Sequence, residues 1–118
     1  MELSASQLDN GIKLIVLRGK MDIPGTEKIA LKLSIETAIE KANVIIDLSD
    51  VEYMASVGIG VLLQSFKALK LRGVNMGLLN PQKIVELVLL TTKIDSIVPI
   101  YTDLGTACDG LLQPASEN

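Results

Sequence analysis

The sequence D-V-E-Y-M-A-S-V-G-I-G at residues 50–60 joins two patterns of different period. Before it, residues 44–48 form a short, β-branched apolar run, which is typical of a buried strand. After it, apolar residues recur at helical spacing as far as about residue 72. The inward positions predicted from this spacing are Ile59, Leu62, Leu63, Phe66 and Leu69. A strand that leads into an amphipathic helix is typical of α/β proteins.

Ser56 stands where the strand pattern gives way to the helix pattern, and its hydroxyl has two interpretations. It could be an N-cap, because a serine oxygen readily accepts a hydrogen bond from a free N–H at a helix start. It could also be a phosphorylation site, because free N–H groups and the helix dipole favour a phosphate there. The residues alone favour the N-cap, since serine is a common cap.

Gly58 and Gly60 follow the serine within the first turns of this helix. Each glycine costs a helix about 0.5–1 kcal/mol relative to alanine. We therefore expect the two glycines to admit another backbone closely or to leave the Ser56 hydroxyl uncovered. A nucleotide-binding loop is a poor explanation, because the third glycine of G-x-G-x-x-G and a following G-K-[ST] are both missing.

Length and composition limit the class of protein. The chain has 118 residues, a formal net charge of −3, no histidine and one cysteine. Its length predicts a single domain over residues 1–118, with a polar tail at residues 113–118. The lone Cys108 cannot close an internal disulfide, which favours a reducing cytoplasm. Without histidine, the chain cannot form a histidine-based triad or a histidine metal ligand.

Neither nucleic acid nor a membrane is an expected partner. Basic residues form no long cluster and aromatic residues make up only 3% of the chain, which is against nucleic-acid binding. The fully apolar runs are too short to cross a bilayer. The first ten residues are polar and lack the apolar core of a signal peptide.

Turn signals divide the chain into alternating elements. Strands are predicted at residues 2–8, 12–18, 44–48, 74–79 and 100–101. Helices are predicted at residues 26–41, 56–72, 80–92 and 104–112. The Asn-Gly pair at residues 10–11 predicts a hairpin between the first two strands. The pattern predicts an α/β fold, a mixed, mostly parallel sheet of four to five strands packed against about four helices in the order β-β-α-β-α-β-α-β-α.

Polar residues mark the predicted helix starts. Thr26 and Asn80 are predicted N-caps, with a loop at residues 19–25 before the first, and Thr102-Asp103 is predicted to cap the last helix. The inward positions predicted for the first helix are Ile29, Leu33, Ile35, Ala38 and Ile39. Those predicted for the third helix are Ile84, Leu87, Val88 and Thr91.

Three carboxylates are candidates for an acidic site. Asp22 falls in a predicted loop, Asp50 falls in a predicted turn, and Asp47 interrupts the third predicted strand near its end. Aspartate commonly bonds its own backbone in turns and caps. The structural interpretation is therefore favoured over a catalytic or ligand-binding one. For Asp22, a place on a binding surface also stays open.

Five motifs, in this order, resemble the STAS domain of the bacterial anti-sigma factor antagonist family. They are G-K-M-D at 19–22, D-L-S-D-V-E-Y-M at 47–54, S-V-G-I-G-V-L at 56–62, L-L-N-P at 78–81 and K-I-D-S-I-V-P-I-Y at 93–101. The resemblance runs from about residue 3 to residue 112. It implies a STAS-like single domain.

The resemblance also implies a function without catalysis, cofactor or metal. In that family, a partner that is both anti-sigma factor and serine kinase binds the unphosphorylated antagonist. Phosphorylation of a serine at the start of the second helix releases the partner, and a serine phosphatase restores binding. That serine falls on Ser56, and the family's acidic residue after the second strand falls on Asp22. The implied partner-binding residues are Asp22, Ala55, Ser56, Val57, Gly58 and Ile59.

Two positions depart from the family pattern. The family usually carries aspartate immediately before the serine, where this chain has Ala55, and often serine or threonine after it, where this chain has Val57. Ser49 and Ser65 are fallback hydroxyls, with Ser65 expected inside a helix. A STAS scaffold that is not phosphorylated is the alternative function. In either case we expect a cytoplasmic protein, with a monomer as the simplest state.

Overall fold

The computed structural model describes residues 1–39 and 41–112, which form a β-sheet covered by helices on both faces. Its strands are β1 Glu2–Gln7, β2 Lys13–Met21, β3 Val44–Met54, β4 Met76–Leu79 and β5 Ile100–Tyr101. Its α-helices are α1 Ile23–Ile39, α2 Ser56–Leu71, α3 Lys83–Thr91 and α4 Leu104–Leu112, with a short 3₁₀ helix at Ile94–Ser96. This order confirms the predicted fold class. The predicted polar tail, residues 113–118, lies outside the described residues.

The sheet has the strand order β1-β2-β3-β4-β5. β1 runs antiparallel to β2, and the other neighbouring strands are parallel. The predicted hairpin is confirmed, with Gly11 at a φ of +88° and the Asn10 side chain accepting a hydrogen bond from the Ile12 N–H. Because β2 to β5 are parallel, their carboxyl ends meet at one edge of the sheet. All four α-helices begin at that edge.

Two apolar cores fill the space between the sheet and its helices. The larger core joins the sheet to α1, α2 and α3. The smaller core lies on the opposite face, beneath α4, and contains Ile12, Ile45, Leu79, Ala107 and Leu111. The cores are almost wholly aliphatic, and they fix the strand ends from which the helices start.

The start of α1 corrects two predictions. Residues 19–21 belong to β2 rather than to a loop, because β3 continues beside them to Met54 and satisfies their backbone groups. The helix then begins at Ile23, so Asp22 takes the capping position that was predicted for Thr26. Thr26 is instead buried, and no hydrogen-bond partner is found for its hydroxyl among the described residues.

The inward face of α1 also differs from the prediction. Ile29 and Leu33 are buried as expected, but Ile35 and Ile39 are exposed, as is Ala38. Thr37 is buried in their place. Its hydroxyl donates a hydrogen bond to the Leu33 carbonyl at 2.9 Å, which removes the cost of burying it.

α3 begins later than predicted and buries another face. Asn80 is not its N-cap, because its backbone is left-handed with a φ of 51° and Gln82 occupies the capping position. The buried residues are Val85 and Leu89, while Ile84, Leu87 and Thr91 are exposed and Val88 is half-buried. Six of the nine residues of α3 are apolar and they occur on more than one face, so the apolar spacing did not identify the inward face.

Candidate partner-binding site

The ends of β2 and β3 bring two distant parts of the chain together. Met21 and Met54 are register partners, and the Ala55 N–H donates to the Met21 carbonyl at 2.9 Å. Asp22 and Ser56 follow these two strand ends directly. The structure therefore brings the starts of α1 and α2 side by side at one edge of the sheet.

β3 reaches this edge through two irregularities in its pairing with β2. Val16 pairs with Asp47 and Arg18 with Asp50, so β3 contains one more residue than β2 between these two pairs. A second register shift follows between Gly19 and Lys20. Bulges of this kind bend and twist a strand, and they are frequent beside functional sites. They re-aim β3 immediately before it enters α2.

The start of α1 is closed by its own cap. The Asp22 carboxylate accepts a hydrogen bond from the Gly25 N–H at 2.8 Å, and the Asp22 carbonyl accepts one from the Thr26 N–H at 2.9 Å. Gly25 is required by space, since a Cβ there would overlap the Lys20 carbonyl oxygen. Asp22 is therefore both the α1 cap and a half-buried residue at the shared edge.

The start of α2 carries no such cap. Ala55 occupies the N-cap position, and no side chain in the described part of the chain accepts a hydrogen bond there. The Ala55 carbonyl accepts hydrogen bonds from Gly58 and Ile59, at 2.9 and 3.4 Å. Ser56 is the first residue of the helix and is exposed, so the interpretation of Ser56 as the N-cap is wrong.

The two glycines of α2 differ in their surroundings. A Cβ on Gly58 would lie 3.1 Å from both Met21 Cβ and Met54 Cγ. Side chains rather than another backbone come close at Gly58, so the predicted approach of a backbone is wrong there, although the position is too crowded for a larger residue to fit without a shift. Gly60 is exposed and has open space around it.

The predicted partner-binding residues divide by exposure. Ser56 is exposed, and Asp22, Ala55 and Val57 are half-buried. Gly58 and Ile59 are buried within the protein itself, so they can shape such a surface only indirectly.

Two exposed apolar residues at the same edge were missed by the sequence analysis. Ile23, the first residue of α1, is 62% exposed, and Tyr53, near the end of β3, is 45% exposed. Ile23 had been assigned to a loop. The sequence signal that could have indicated this surface is the isoleucine at position 23, because an apolar residue in a predicted loop is not required for a buried core.

Of the other two helices that start at this edge, α4 has a side-chain cap and α3 has none from the described residues. Asp103 caps α4, as predicted, by accepting hydrogen bonds from the Thr106 N–H and hydroxyl at 2.8 and 2.9 Å. These hydrogen bonds lower the pKa of the Asp103 carboxyl from its ordinary value. On α3 the Gln82 side chain donates to the Ser49 carbonyl instead of capping the helix.

The remaining candidate carboxylates and hydroxyls have local partners. Asp47 accepts hydrogen bonds from the Ser49 N–H and hydroxyl, and Asp50 pairs with Arg18 at 3.3 Å. Both residues lie within β3 rather than in turns, because that strand continues to Met54, so the turn predicted at Asp50 is wrong. Their contacts are consistent with a structural role. Ser65 is buried in α2. In residues 1–39 and 41–112, no group of three potential ligands is placed to hold a metal ion.

No helix within the described ranges combines the length and hydrophobicity that a bilayer crossing requires. Residues 5–107 match the family model of the STAS domain. No curated protein sequence matches the chain.

Several solved structures share the fold. TM1081 from Thermotoga maritima is 23% identical with a TM-score of 0.85, over 94% of this chain and 95% of that one. An anti-sigma factor antagonist from Mycobacterium paratuberculosis is 20% identical with a TM-score of 0.85, over 95% and 94%. The anti-sigma factor antagonist SpoIIAA in its unphosphorylated form is 21% identical with a TM-score of 0.76, over 92% and 95%. The phosphorylated form of SpoIIAA, a Bacillus cell fate determinant, matches with a TM-score of 0.69 at 20% identity, over 92% and 98%.

Proposed function

The chain belongs to the STAS domain family, and we propose that it is an anti-sigma factor antagonist that works as a non-enzymatic binding switch. In its unphosphorylated form it binds a partner that is both anti-sigma factor and serine kinase. Phosphorylation of Ser56 releases that partner, and a serine phosphatase reverses the modification. The protein acts in the cytoplasm as a monomer, with residues 1–118 as one STAS domain.

The observation that carries this proposal is the state of Ser56. Its side chain is exposed on the first turn of a helix whose N-terminus receives no side-chain cap from residues 1–39 or 41–112. A phosphate on that hydroxyl would lie beside free N–H groups and the positive end of the helix dipole, both of which favour it. The unphosphorylated and phosphorylated forms of the structurally similar SpoIIAA are consistent with such a cycle.

The charge of the phosphate explains why binding changes while the fold does not. Phosphorylation adds about −1.5 to −2 charge at neutral pH. Within the domain the α2 N-terminus stabilises that charge. At a docked interface the same charge loses its water and meets any acidic group of the partner. A penalty of about 3 kcal/mol would weaken binding by more than a hundredfold.

The partner surface in this proposal combines the switch with apolar anchors. Ser56, Ala55 and Val57 form its centre, and Asp22 lies beside them. Ile23 and Tyr53 supply exposed apolar area at the same edge. Tyrosine is enriched among residues that dominate binding energy, so we assign Tyr53 an anchoring role.

The test measures affinity for the candidate anti-sigma kinases encoded in the same genome. Ser56→Ala should bind a true partner constitutively in the presence of ATP. Ser56→Asp should bind more than about a hundredfold more weakly. Its thermal stability should be retained, since an acidic residue in the first helical turn favours the helix. Equal partner affinity for wild type and Ser56→Asp would contradict the proposal.

A matched control tests whether the effect depends on the position of the added negative charge. Ser96 is an exposed serine in the 3₁₀ helix that precedes β5, at the amino end of that parallel strand and so at the opposite edge of the sheet. Ser96→Asp adds the same charge away from the helix starts. We expect it to leave partner affinity within about twofold of wild type.

A scaffold that is not phosphorylated is the second candidate function. Ala55 favours it, because the helix start lacks a side-chain acceptor that could orient the Ser56 hydroxyl. A stable complex with a kinase partner in the presence of ATP, with no phosphate transferred, would select this function.

A further inference from the structure

A groove runs between the edge strand β1 and the first half of α1, and it reaches Asp22. It consists of two open depressions of about 420 and 470 Å³ that share Met1 and Lys28 as lining residues. We call it the lysine groove, because its lining includes Lys20, Lys28 and Lys32.

The three lysines of this groove outnumber the carboxylates of its lining, Glu2 and Asp22. All are exposed, and none has a carboxylate within 4.0 Å among residues 1–39 and 41–112. Lys28 and Lys32 stand four residues apart on α1, where like charges repel each other. The guanidinium of Arg18, also in the lining, is engaged with Asp50 at 3.3 Å.

The opposing wall of the groove can pair with another strand. β1 is the outermost strand of the sheet and pairs only with β2, so its outer edge has no strand partner in the described part of the chain. Residues 1–4 of this wall line the groove. A free strand edge can accept an extended segment through backbone hydrogen bonds, while neighbouring side chains select its sequence.

The floor and the charges of the groove indicate the chemistry of its occupant. Met1 and Leu3 contribute apolar surface, Ile29 is buried, and Glu2 and Asp22 are the carboxylates of the lining. A segment that alternates acidic and apolar residues would present carboxylates on one face and apolar side chains on the other when it is extended. Such a segment matches the three lysines in charge and the edge of β1 in shape.

We propose that the lysine groove binds an extended acidic segment of the partner protein as an added strand along β1. This inference rests on the proposed function only for the identity of the partner protein. Asp22 lies in the groove lining and also at the proposed partner-binding site with Ser56, so one partner could reach both. The docked partner would then contact the switch and the groove together. The groove strengthens the complex whether or not Ser56 is modified.

The test uses a fluorescein-labelled peptide, E-V-D-V-E-V-D, and full-length protein in an anisotropy titration. The triple variant Lys20→Ala, Lys28→Ala and Lys32→Ala should bind the peptide at least about tenfold more weakly than wild type. The control is the triple variant Lys41→Ala, Lys67→Ala and Lys83→Ala, which removes three other exposed lysines. It has the same net charge and should stay within about twofold of wild type. Thermal melts of both variants establish that they are folded.

Further outcomes locate the peptide and identify its source. Backbone amide shifts should be largest at residues 2–4, and affinity should fall as salt is raised. Absence of peptide binding to wild type, or equal loss in both triple variants, would overturn the proposal. Displacement of the peptide by equimolar ATP would also overturn it, since the groove would then be a general anion site.

The same peptide separates this inference from the switch. Ser56→Asp should bind the peptide like wild type, since the groove does not include Ser56. If wild type binds the peptide but Ser56→Asp does not change partner affinity, the proposed switch is contradicted and the proposed groove is supported. If wild type does not bind the peptide but Ser56→Asp weakens partner binding, the proposed groove is contradicted and the proposed switch is supported.

Discussion

The starts of α1 and α2 share one design and differ in one group. Each helix follows directly on a strand end, and each has glycine as its third residue, Gly25 in α1 and Gly58 in α2. In both, the carbonyl of the capping residue accepts a hydrogen bond from the N–H four residues later. The difference is the cap itself, a carboxylate at Asp22 and a methyl group at Ala55.

The two helix starts therefore differ in whether their N–H groups are satisfied by a side chain of the described part of the chain. At α1 the chain satisfies its own N–H group with the Asp22 carboxylate. At α2 no side chain of the described part does so, and the exposed hydroxyl of Ser56 stands beside the free donors. A helix start left open in this way is available to an added negative charge. The two starts are linked by the hydrogen bond from the Ala55 N–H to the carbonyl of Met21, the residue before Asp22.

The largest expected effect comes from closing the space at Gly25. Gly25→Ala drives a Cβ into the Lys20 carbonyl oxygen, and backbone cannot yield as a flexible side chain can. We expect a loss of about 3 kcal/mol in the free energy of unfolding, measured by urea denaturation. The matched variant is Gly58→Ala, whose new Cβ meets the side chains of Met21 and Met54. It should stay within about 1 kcal/mol of wild type, because contacts at 3.1 Å need shifts of only a few tenths of an ångström and the helix propensity of alanine offsets part of that cost. Equal losses of stability in the two variants would contradict the inference that space is more restricted at Gly25 than at Gly58.

Exchanging the caps is the next test. Asp22→Ala should lower the free energy of unfolding by about 1 kcal/mol, since it leaves the Gly25 N–H without its acceptor. Ala55→Asp should raise it by about 1 kcal/mol by capping α2.

Asp22→Asn is the control for the cap exchange. Asparagine keeps an acceptor oxygen and is also a good N-cap, so stability should change by only a few tenths of a kcal/mol. A loss in Asp22→Asn as large as that in Asp22→Ala would mean that charge, rather than the hydrogen bond, holds α1. No gain in Ala55→Asp would mean that the α2 start is already satisfied.

Gly60 offers a smaller effect in the other direction. It is exposed in α2, and a Cβ there would meet nothing within 4 Å. Gly60→Ala should therefore raise the free energy of unfolding by about 0.5–1 kcal/mol through helix propensity and a less flexible unfolded chain. Denaturant midpoints check this directly. A destabilised Gly60→Ala would show that the glycine serves the backbone conformation rather than access to Ser56.

The smallest effect is a pH dependence at the capped start of α4. The pKa of Asp103 is lowered in the folded protein from its ordinary value of 3.8 by hydrogen bonds from Thr106. Its contribution to stability is therefore present above pH 3.8 and is lost as pH falls through the lower folded pKa. Melting temperatures of wild type and Asp103→Asn should converge at the acid end of a pH series. A constant difference at all pH values would contradict this.

The alternation of elements was predictable because its signals are local. The Asn-Gly turn at residues 10–11 defined the hairpin, and the apolar runs gave the strands near their true positions. The extent of β2 and β3 was not predictable, since residues 19–21 become strand only because a distant segment pairs with them. That extension moved the α1 cap from Thr26 to Asp22, and both residue types are good caps.

The candidate site shows the same limit at finer scale. The sequence located Ser56 at the helix start, but N-cap and first helical residue differ by one position, and helix ends are uncertain by that much. Ala55 is a poor cap by type, yet it occupies the capping position because β3 continues to Met54. The exposure of Ile23 and Tyr53 depends on how two strand ends meet, which no local pattern encodes.

The most direct test of the switch is peptide mass spectrometry after incubation with ATP and each candidate anti-sigma kinase. We expect a single added phosphate on Ser56, absent from Ser56→Ala, with no modification of the hydrogen-bonded Ser49 or the buried Ser65. A stable complex with a kinase partner that leaves Ser56 unmodified, or phosphate on Ser49 or Ser65 instead, would contradict it.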